Sequence, residues 1–297
     1  MEIENSKAGL SCELLKKEHA AQGQELSREA GWNQTVMDWE LMITHGEGYG
    51  LFTAERRLVG TVLMLPFGEE YRWISMVLVH SSWRRRGLAS RLMTLVLDEL
   101  KKNKRGAVLD ATEAGEKVYS QLGFHCFARY ARLRWDRESP EKLILSRGMQ
   151  APGSTVRKVR SADMAAVLDW DSGVFGKHRS FILNYEYACW PEAAKVAEDA
   201  DGSLRGYIFG RVGLNARELG PIVATCESVA EELYRRVMKE IDGPLYMDVA
   251  RRCPEFLERR LREGWVVERG FARMATGSRD WCGQFAKLYA SAGPDFG

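Results

Sequence analysis

The chain has 297 residues, 45% of them hydrophobic, and its 43 basic residues stand against 41 acidic ones. That length and apolar content suffice for a substantial core and favour two modest domains over one. The near balance of charge gives no general attraction for nucleic acid or an anionic membrane, and no apolar run approaches the roughly 18 residues that span a bilayer, so a soluble, cytoplasmic protein is expected.

After the polar stretch Met1 to Gly9, Leu10 to Lys16 alternates apolar and polar as a strand does, and Glu18 to Ala30 reads as a polar, exposed helix. A second helix begins near Gln34, with Thr35 as its cap and Val36, Trp39, Leu41 and Met42 as its apolar stripe. Gly48 to Phe52, Leu58 to Leu65 and Trp73 to Val79 are strand patterns, the first two joined by a hairpin at Glu55-Arg56-Arg57. The third is almost wholly apolar, as in a strand covered on both faces. Leu88, Leu92, Leu95 and Val96 recur at helical spacing, with Arg91, Asp98, Lys101 and Lys102 on the wet side. A strand at Ala107 to Leu109, a helix at Glu116 to Leu122 and closing strand material at Phe124 to Trp135 complete the half. This order predicts an α/β sheet with helices on its faces.

Between the apolar strand and the long helix lies Arg84-Arg85-Arg86-Gly87-Leu88-Ala89-Ser90. A glycine there lets main chain approach a ligand, successive N–H groups form a concave donor nest, and the helix behind adds its positive end. Such a turn fits a pyrophosphate; it also fits a plain helix start with a solvated basic face. The three spaced glycines of a dinucleotide fold and the Gly-Lys-Ser/Thr of a nucleotide loop are both missing from it.

The polar segment Ser146 to Ser154 reads as a linker, and a fresh strand and helix pattern starts at Thr155. Leu204 to Phe209 echoes Leu58 to Leu63, and Leu261-Arg262-Glu263-Gly264-Trp265 echoes Ser120-Gln121-Leu122-Gly123-Phe124. Between these echoes lie a strand ending at Ala224, a helix with Val229, Leu233, Val237 and Ile241 on one face, and a strand at Leu245 to Val249. The chain therefore reads as two related folds in tandem. The second copy has Thr225-Cys226-Glu227-Ser228 in place of the basic glycine turn and Arg260 in the place of Tyr119. Without the glycine, and with an acid that repels phosphate, that copy is expected to shape a pocket or an interface and to hold no pyrophosphate. Six cysteines, Cys12, Cys126, Cys189, Cys226, Cys253 and Cys282, lack any C-x-x-C spacing and read as reduced core thiols.

The basic turn resembles the Arg/Gln-x-x-Gly-x-Gly/Ala motif of the GNAT N-acetyltransferase superfamily, with Arg84, Gly87 and Ala89 in its three named places; the second small residue is alanine, which the family allows. Val118-Tyr119-Ser120-Gln121-Leu122-Gly123-Phe124 resembles that family's Tyr-x-x-x-Gly-Phe motif. Gly31 to Thr35, Trp73 to Val79, Leu109 to Thr112, Val174-Phe175-Gly176 with Arg179, and the tail Tyr289 to Gly297 resemble a tandem subgroup, the YitH-type acetyltransferases. The resemblance implies two GNAT domains, each a mixed, mostly antiparallel sheet flanked by helices: a catalytic domain over 1–147 and a degenerate one over 155–297. It implies acetyl-CoA as co-substrate, without a metal. The coenzyme's pyrophosphate would rest on Arg84, Arg85, Arg86, Gly87, Leu88, Ala89 and Ser90, and its pantetheine would pair with Val77, Leu78 and Val79 where two strands splay.

The same resemblance makes Tyr119 the general acid for the departing sulfur; a tyrosine packed on the helix core is the alternative. Asp110 and Glu113 are the nearest candidates for a base, although Asp110 would equally cap the turn before the next helix, and His80 has no role assigned. An acceptor between the domains would bring Trp32, Asn33 and Gln34 toward Asp171, Phe175 and Arg179, each of which could instead be a cap, a core aromatic or a surface charge. The function expected is acetyl transfer to a primary amine of a small metabolite. The alternatives are a protein lysine or amino terminus as acceptor, or a non-catalytic module that binds acyl-CoA or a metabolite.

Overall fold

Two successive helices near the start of the chain meet across a glycine, and this contact seats the first helical layer. The computed structural model, which describes residues 9–136, 153–277 and 283–297, divides into two units, Met1–Leu109 and Asp110–Gly297. The first holds β1 (Ser11–Leu14), α1 (Ala20–Glu29), α2 (Val36–His45), β2 (Glu47–Phe52), β3 (Leu58–Phe67), β4 (Tyr71–Val79), α3 (Leu88–Lys102) and most of β5 (Gly106–Ala111). Short 3-10 turns at Lys17–His19 and Ser81–Trp83 precede α1 and follow β4. Thr35 caps α2 as expected: its hydroxyl accepts from the Asp38 N–H at 3.2 Å, while Asp38 accepts from the Thr35 N–H at 2.7 Å.

The expected exposed helix over 18–30 is corrected to a 3-10 turn followed by α1, whose Ala20, Gly23, Leu26 and Ser27 are buried. Trp39 of α2 is the cause. Its ring stacks over Gly23 and its Nε1 donates to the Ser27 hydroxyl at 3.1 Å, so a helix that is polar in sequence still has an inward side. β3 is buried at nearly every position, and α1, α2 and α3 all pack on it. Leu92, Met93, Val96 and Leu100 seat α3, with Leu95 only half-buried.

The sheet of this unit runs β1-β2-β3-β4-β5, antiparallel except for β4 and β5. Those two pair in parallel only from Tyr71 to Trp73, opposite Gly106 to Val108, and form no pairs beyond that. The rest of β4, through Val79, is left with one open edge. A register shift against β3 between Thr61 and Leu63 sits beside Met76, whose φ is +50°, and the Thr61 hydroxyl donates to the Met76 carbonyl at 2.7 Å.

The second unit contains α4 (Glu113–Gln121), β6 (His125–Trp135), β7 (Ser154–Lys158), α5 (Met164–Phe175), α6 (Ser180–Cys189), β8 (Lys195–Asp199), β9 (Leu204–Val212), β10 (Arg217–Ala224), α7 (Glu227–Met238), β11 (Leu245–Ala250), α8 (Pro254–Arg262), β12 (Val266–Ala275) and β13 (Leu288–Ser291). Its strands run β12-β6-β11-β13-β10-β9-β8-β7. The expectation that 124–135 closes the first sheet is corrected here. β6 pairs Tyr130 with Ala250 of β11 and with Phe271 of β12, and so lies inside the second sheet. The linker expected at 146–154 falls almost wholly outside the described residues.

β10 and β11 repeat the splay of β4 and β5, pairing in parallel only at Arg217 with Leu245 and Glu218 with Tyr246. In this unit the gap is filled. β13 enters it antiparallel to both walls, pairing Ala290 with Ile222 on one side and with Val249 on the other. Beneath these strands lies a chain of ion pairs with no member more than 2% exposed. Arg132 grips Asp248 at 2.8 and 2.6 Å and also donates to Glu218, and Arg211 joins Glu218 at 2.6 Å to Asp295 at 2.9 Å. Glu186 of α6 is fully buried near this chain, and neither of its carboxyl oxygens has a hydrogen-bond partner among the described residues. Burial pushes its pKa well above the ordinary value, against the pull of Arg179 and Arg211 and with the push of Glu218 and Asp171.

Two measurements check these contacts. Alanine at 23 would meet the Trp39 ring, whose Cδ2 lies 2.7 Å from the new Cβ. Gly23→Ala should therefore lower stability by about 1–3 kcal/mol in urea denaturation, overriding the helix-propensity gain of about 1 kcal/mol. A carboxyl with a raised folded pKa favours the fold while protonated and loses that contribution as pH rises above its unfolded value of about 4.3. The melting temperature of Glu186→Gln should accordingly match that of the parent near pH 4 and exceed it progressively toward neutrality.

Candidate functional site

Gly87 begins α3 in the left-handed region at φ +73°, with Arg85 also at positive φ, +60°. This reversal brings the chain off the end of β4 and turns it straight into the helix, with the Leu88 side chain buried beneath. No side chain caps α3, and its first intrahelical bond runs from the Arg91 N–H to the Gly87 carbonyl at 3.0 Å. The N–H groups of Leu88, Ala89 and Ser90 therefore precede the helical ladder at its positive end. A Cβ at Gly87 would find open space, with nothing within 4 Å. The turn can thus receive an anion on main-chain donors, with three arginines around it.

Those arginines are partly engaged. Arg84 Nε donates to the Val79 carbonyl at 3.0 Å, tying the turn to the end of β4, and Arg86 donates to Ser82 at 3.1 Å while lying 4.7 Å from the Trp83 ring centroid. His80, left without a role by the sequence, accepts from the Ser82 N–H at 3.3 Å and meets Arg57 at 2.7 Å, and so shapes the approach to the turn. Val77, Leu78 and Val79 lie on the part of β4 that has no partner on the β5 side. Thr61 and Met76, which fix the bulge in this strand, were not singled out by the sequence reading; a threonine and a methionine inside apolar strands carry no distinguishing pattern.

Tyr119 lies on α4 in the second unit, half-buried, with its ring 5.9 Å from that of Phe124. Burial pushes its pKa up to about 12, so at neutral pH it is a phenol with a proton to give. Its hydroxyl makes no hydrogen bond to another described residue. Asp110 does not cap α4: the Thr112 hydroxyl does so, accepting from the Gly115 N–H at 3.3 Å. Both Asp110 oxygens accept from Arg273, each at 2.8 Å, so this carboxylate is one half of a buried ion pair. Glu113 stands in the first turn of α4, exposed.

Asp171, Phe175 and Arg179 do come together. Arg179 forks onto Asp171 at 3.0 and 2.9 Å, lies 3.9 Å from the Phe175 ring centroid and also donates to the Gly297 main-chain oxygen. Tyr207 donates to Asp171 as well. All three are at most 2% exposed, so the two charges neutralise each other and neither is free for a ligand. Trp32, Asn33 and Gln34 lie between α1 and α2 in the other unit, with Asn33 and Gln34 buried and Trp32 half-buried.

The counterparts in the second copy are structural. Glu227 pairs with Arg259 at 2.8 Å, and Arg260 is fully buried between Glu231 at 2.8 Å and Glu263 at 2.9 Å, 3.7 Å from the Tyr234 ring centroid. Cys12, Cys126, Cys189, Cys226 and Cys253 form no disulfide among the described residues, and Cys282 lies outside them. Among the described residues there is no group of three or more His, Cys, Asp or Glu that could hold a metal, and no helix long and apolar enough to cross a membrane.

Comparison with known proteins matches both halves. Residues 13–124 match the model of the Acetyltransferase (GNAT) family, and residues 167–290 match that of the Acetyltransferase (GNAT) domain. The uncharacterised N-acetyltransferase YitH of Bacillus subtilis strain 168 is 24% identical over 240 residues, covering 80% of this chain and 82% of that protein. A putative acetyltransferase from Pyrococcus horikoshii shares the fold, with a TM-score of 0.76 at 15% identity over 100% of this chain and 99% of its own. So does a tandem GNAT protein from the clavulanic acid biosynthesis pathway, with a TM-score of 0.64 at 15% identity over 91% of this chain and 100% of its own. A paired glycine turn and open strand in the first half, a repeated but altered fold in the second, and family matches to both make this chain an acetyltransferase of the GNAT family with two GNAT domains in tandem.

Proposed function

We propose that the chain transfers an acetyl group from acetyl-CoA to the primary amine of a small metabolite. The catalytic domain would be that of residues 1–147, and the degenerate domain of 155–297 would serve acceptor binding. The family uses acetyl-CoA, and the observation that carries the assignment to this chain is the uncapped start of α3 after Gly87, next to the open edge of β4. The diphosphate would accept from the N–H groups of Leu88, Ala89 and Ser90, with Arg84, Arg85 and Arg86 offsetting its charge. The pantetheine amides would pair with main chain at Val77, Leu78 and Val79, which supplies orientation without side-chain specificity.

The reaction joins the acceptor nitrogen to the acetyl carbonyl carbon and breaks the carbon–sulfur bond. The amine must reach the thioester neutral, and its excess proton leaves to a base or to water. The sulfur departs as a thiol when a proton reaches it, and Tyr119, held as a neutral phenol by burial, supplies that proton in this reading. A closed pocket for a small amine fits the second copy's loss of its own coenzyme turn, since a lobe freed from coenzyme binding can be shaped for an acceptor.

Three outcomes test the proposal. Calorimetric titration should find one acetyl-CoA per chain. Gly87→Ala should weaken that binding by about tenfold or more, whereas its cost to stability should stay near the 1–2 kcal/mol of a left-handed alanine. Tyr119→Phe should lower kcat by about 100-fold in a thiol-release assay across a panel of small amines, with acetyl-CoA affinity changed by less than about twofold. Turnover of peptides but not of small amines would reassign the acceptor, and absence of acetyl-CoA binding would overturn the whole reading.

A further inference from the structure

A surface cleft in the second unit, of about 420 Å³, is walled by Glu113 and Glu116 of α4 and by Arg251 just after β11, and floored by Arg129 and Tyr130 of β6 and Phe271 of β12. Its volume lies in the range of small-molecule sites. The charges around it are not equivalent. Arg129 forks onto Glu116 at 3.1 and 2.7 Å, so this pair cancels itself. Glu113 and Arg251 remain. Neither side chain makes a hydrogen bond or ion pair with another described residue, and they do not pair with each other. This sets Arg251 apart from the many arginines of this unit that hold a carboxylate, among them Arg132, Arg179, Arg211, Arg260 and Arg273.

One unspent negative and one unspent positive group thus line a common cleft together with Tyr130 and Phe271. We infer that this cleft binds a small zwitterion of the amino-acid class: its ammonium group on the Glu113 carboxylate, its carboxylate on the Arg251 guanidinium, and its side chain against the lining of Tyr130, Gly270, Phe271 and Ala272. A simple anion would be repelled by Glu113, and a simple cation by Arg251. Only a ligand carrying both charges satisfies both groups. The guanidinium offers a planar fork suited to a carboxylate; the Tyr130 ring lies by Arg273 at 4.3 Å and the Phe271 ring by Arg132 at 5.3 Å and Arg269 at 5.7 Å from its centroid, so the apolar lining is shared among Tyr130, Phe271, Gly270 and Ala272.

The site is distinct from the acetyl-CoA reading above and does not require it. It shares α4 with Tyr119, and an occupant on Glu113 would sit on the same helix, two turns before the proposed proton donor.

The test is calorimetry on the full chain with glycine, L-leucine and L-phenylalanine, beside acetate and ethylamine as single-charge controls. The zwitterions should bind saturably, with L-leucine or L-phenylalanine tighter than glycine, and the controls should bind at least about tenfold more weakly. Glu113→Gln and Arg251→Gln should each weaken zwitterion binding by about tenfold or more; both positions are exposed, so melting temperature should stay unchanged. No saturable binding by any zwitterion, binding unaffected by either substitution, or equal binding of a single-charge control would overturn the inference. Acetyl-CoA titrated into the same preparations reports separately on the transferase reading, so failure of one is distinguishable from failure of the other.

Discussion

The architecture turns on two parallel strands that begin paired and then part. A strand whose neighbour leaves it exposes a row of N–H and C=O groups, which are left to water, a ligand or another strand. In the first unit β4 and β5 separate after Trp73 and Val108, and the edge through Val79 stays open next to the uncapped start of α3. In the second unit β10 and β11 part in the same way after Glu218 and Tyr246, and the chain's own β13 takes up the exposed groups. One geometry thus has two resolutions, an open edge and an internal strand. The difference separates the two copies more directly than any single catalytic side chain.

Filling the second gap brings the last residues of the chain into a region crowded with charge. Asp295 completes the row Asp248, Arg132, Glu218 and Arg211, and the Gly297 oxygen meets Arg179. Buried ion pairs of this kind are poor sources of net stability, because desolvation offsets most of the attraction, yet removing one partner leaves a charge that nothing else can satisfy. Their effect here is to fix register. A β13 shifted along its neighbours would withdraw Asp295 from Arg211. The tail is therefore held in one alignment by charge as well as by main-chain pairing.

Much of this was legible in the sequence. The Thr35 cap, the stripe of α3 and the glycine turn are local signals, each fixed by residues a few positions apart, and the echo of the two halves shows when one segment is set beside the other. What escaped depends on distant partners. Gly23 makes a polar helix amphipathic only because Trp39 needs its space, and Asp110 stays in β5, two residues short of the Thr112 cap, where it pairs with Arg273 far along the chain. Asp171 and Arg179 read as opposite ligand-binding charges until the fold sets them against each other. The bulge at Met76 and the placements of β6 and β13 leave no trace in periodicity, since a strand pattern names a strand without naming its neighbours.

The position of β6 has a consequence for how such a duplicated chain is inherited. The segment that ends the first sequence repeat supplies an interior strand of the second sheet, between β11 and β12, so the repeat read along the gene is not the repeat that folds. A copy excised at the linker would leave its sibling with two facing unpaired edges and carry away a strand with no sheet. With β6 so placed, a cut at the linker spares neither copy, and the two halves are inherited as one folding unit.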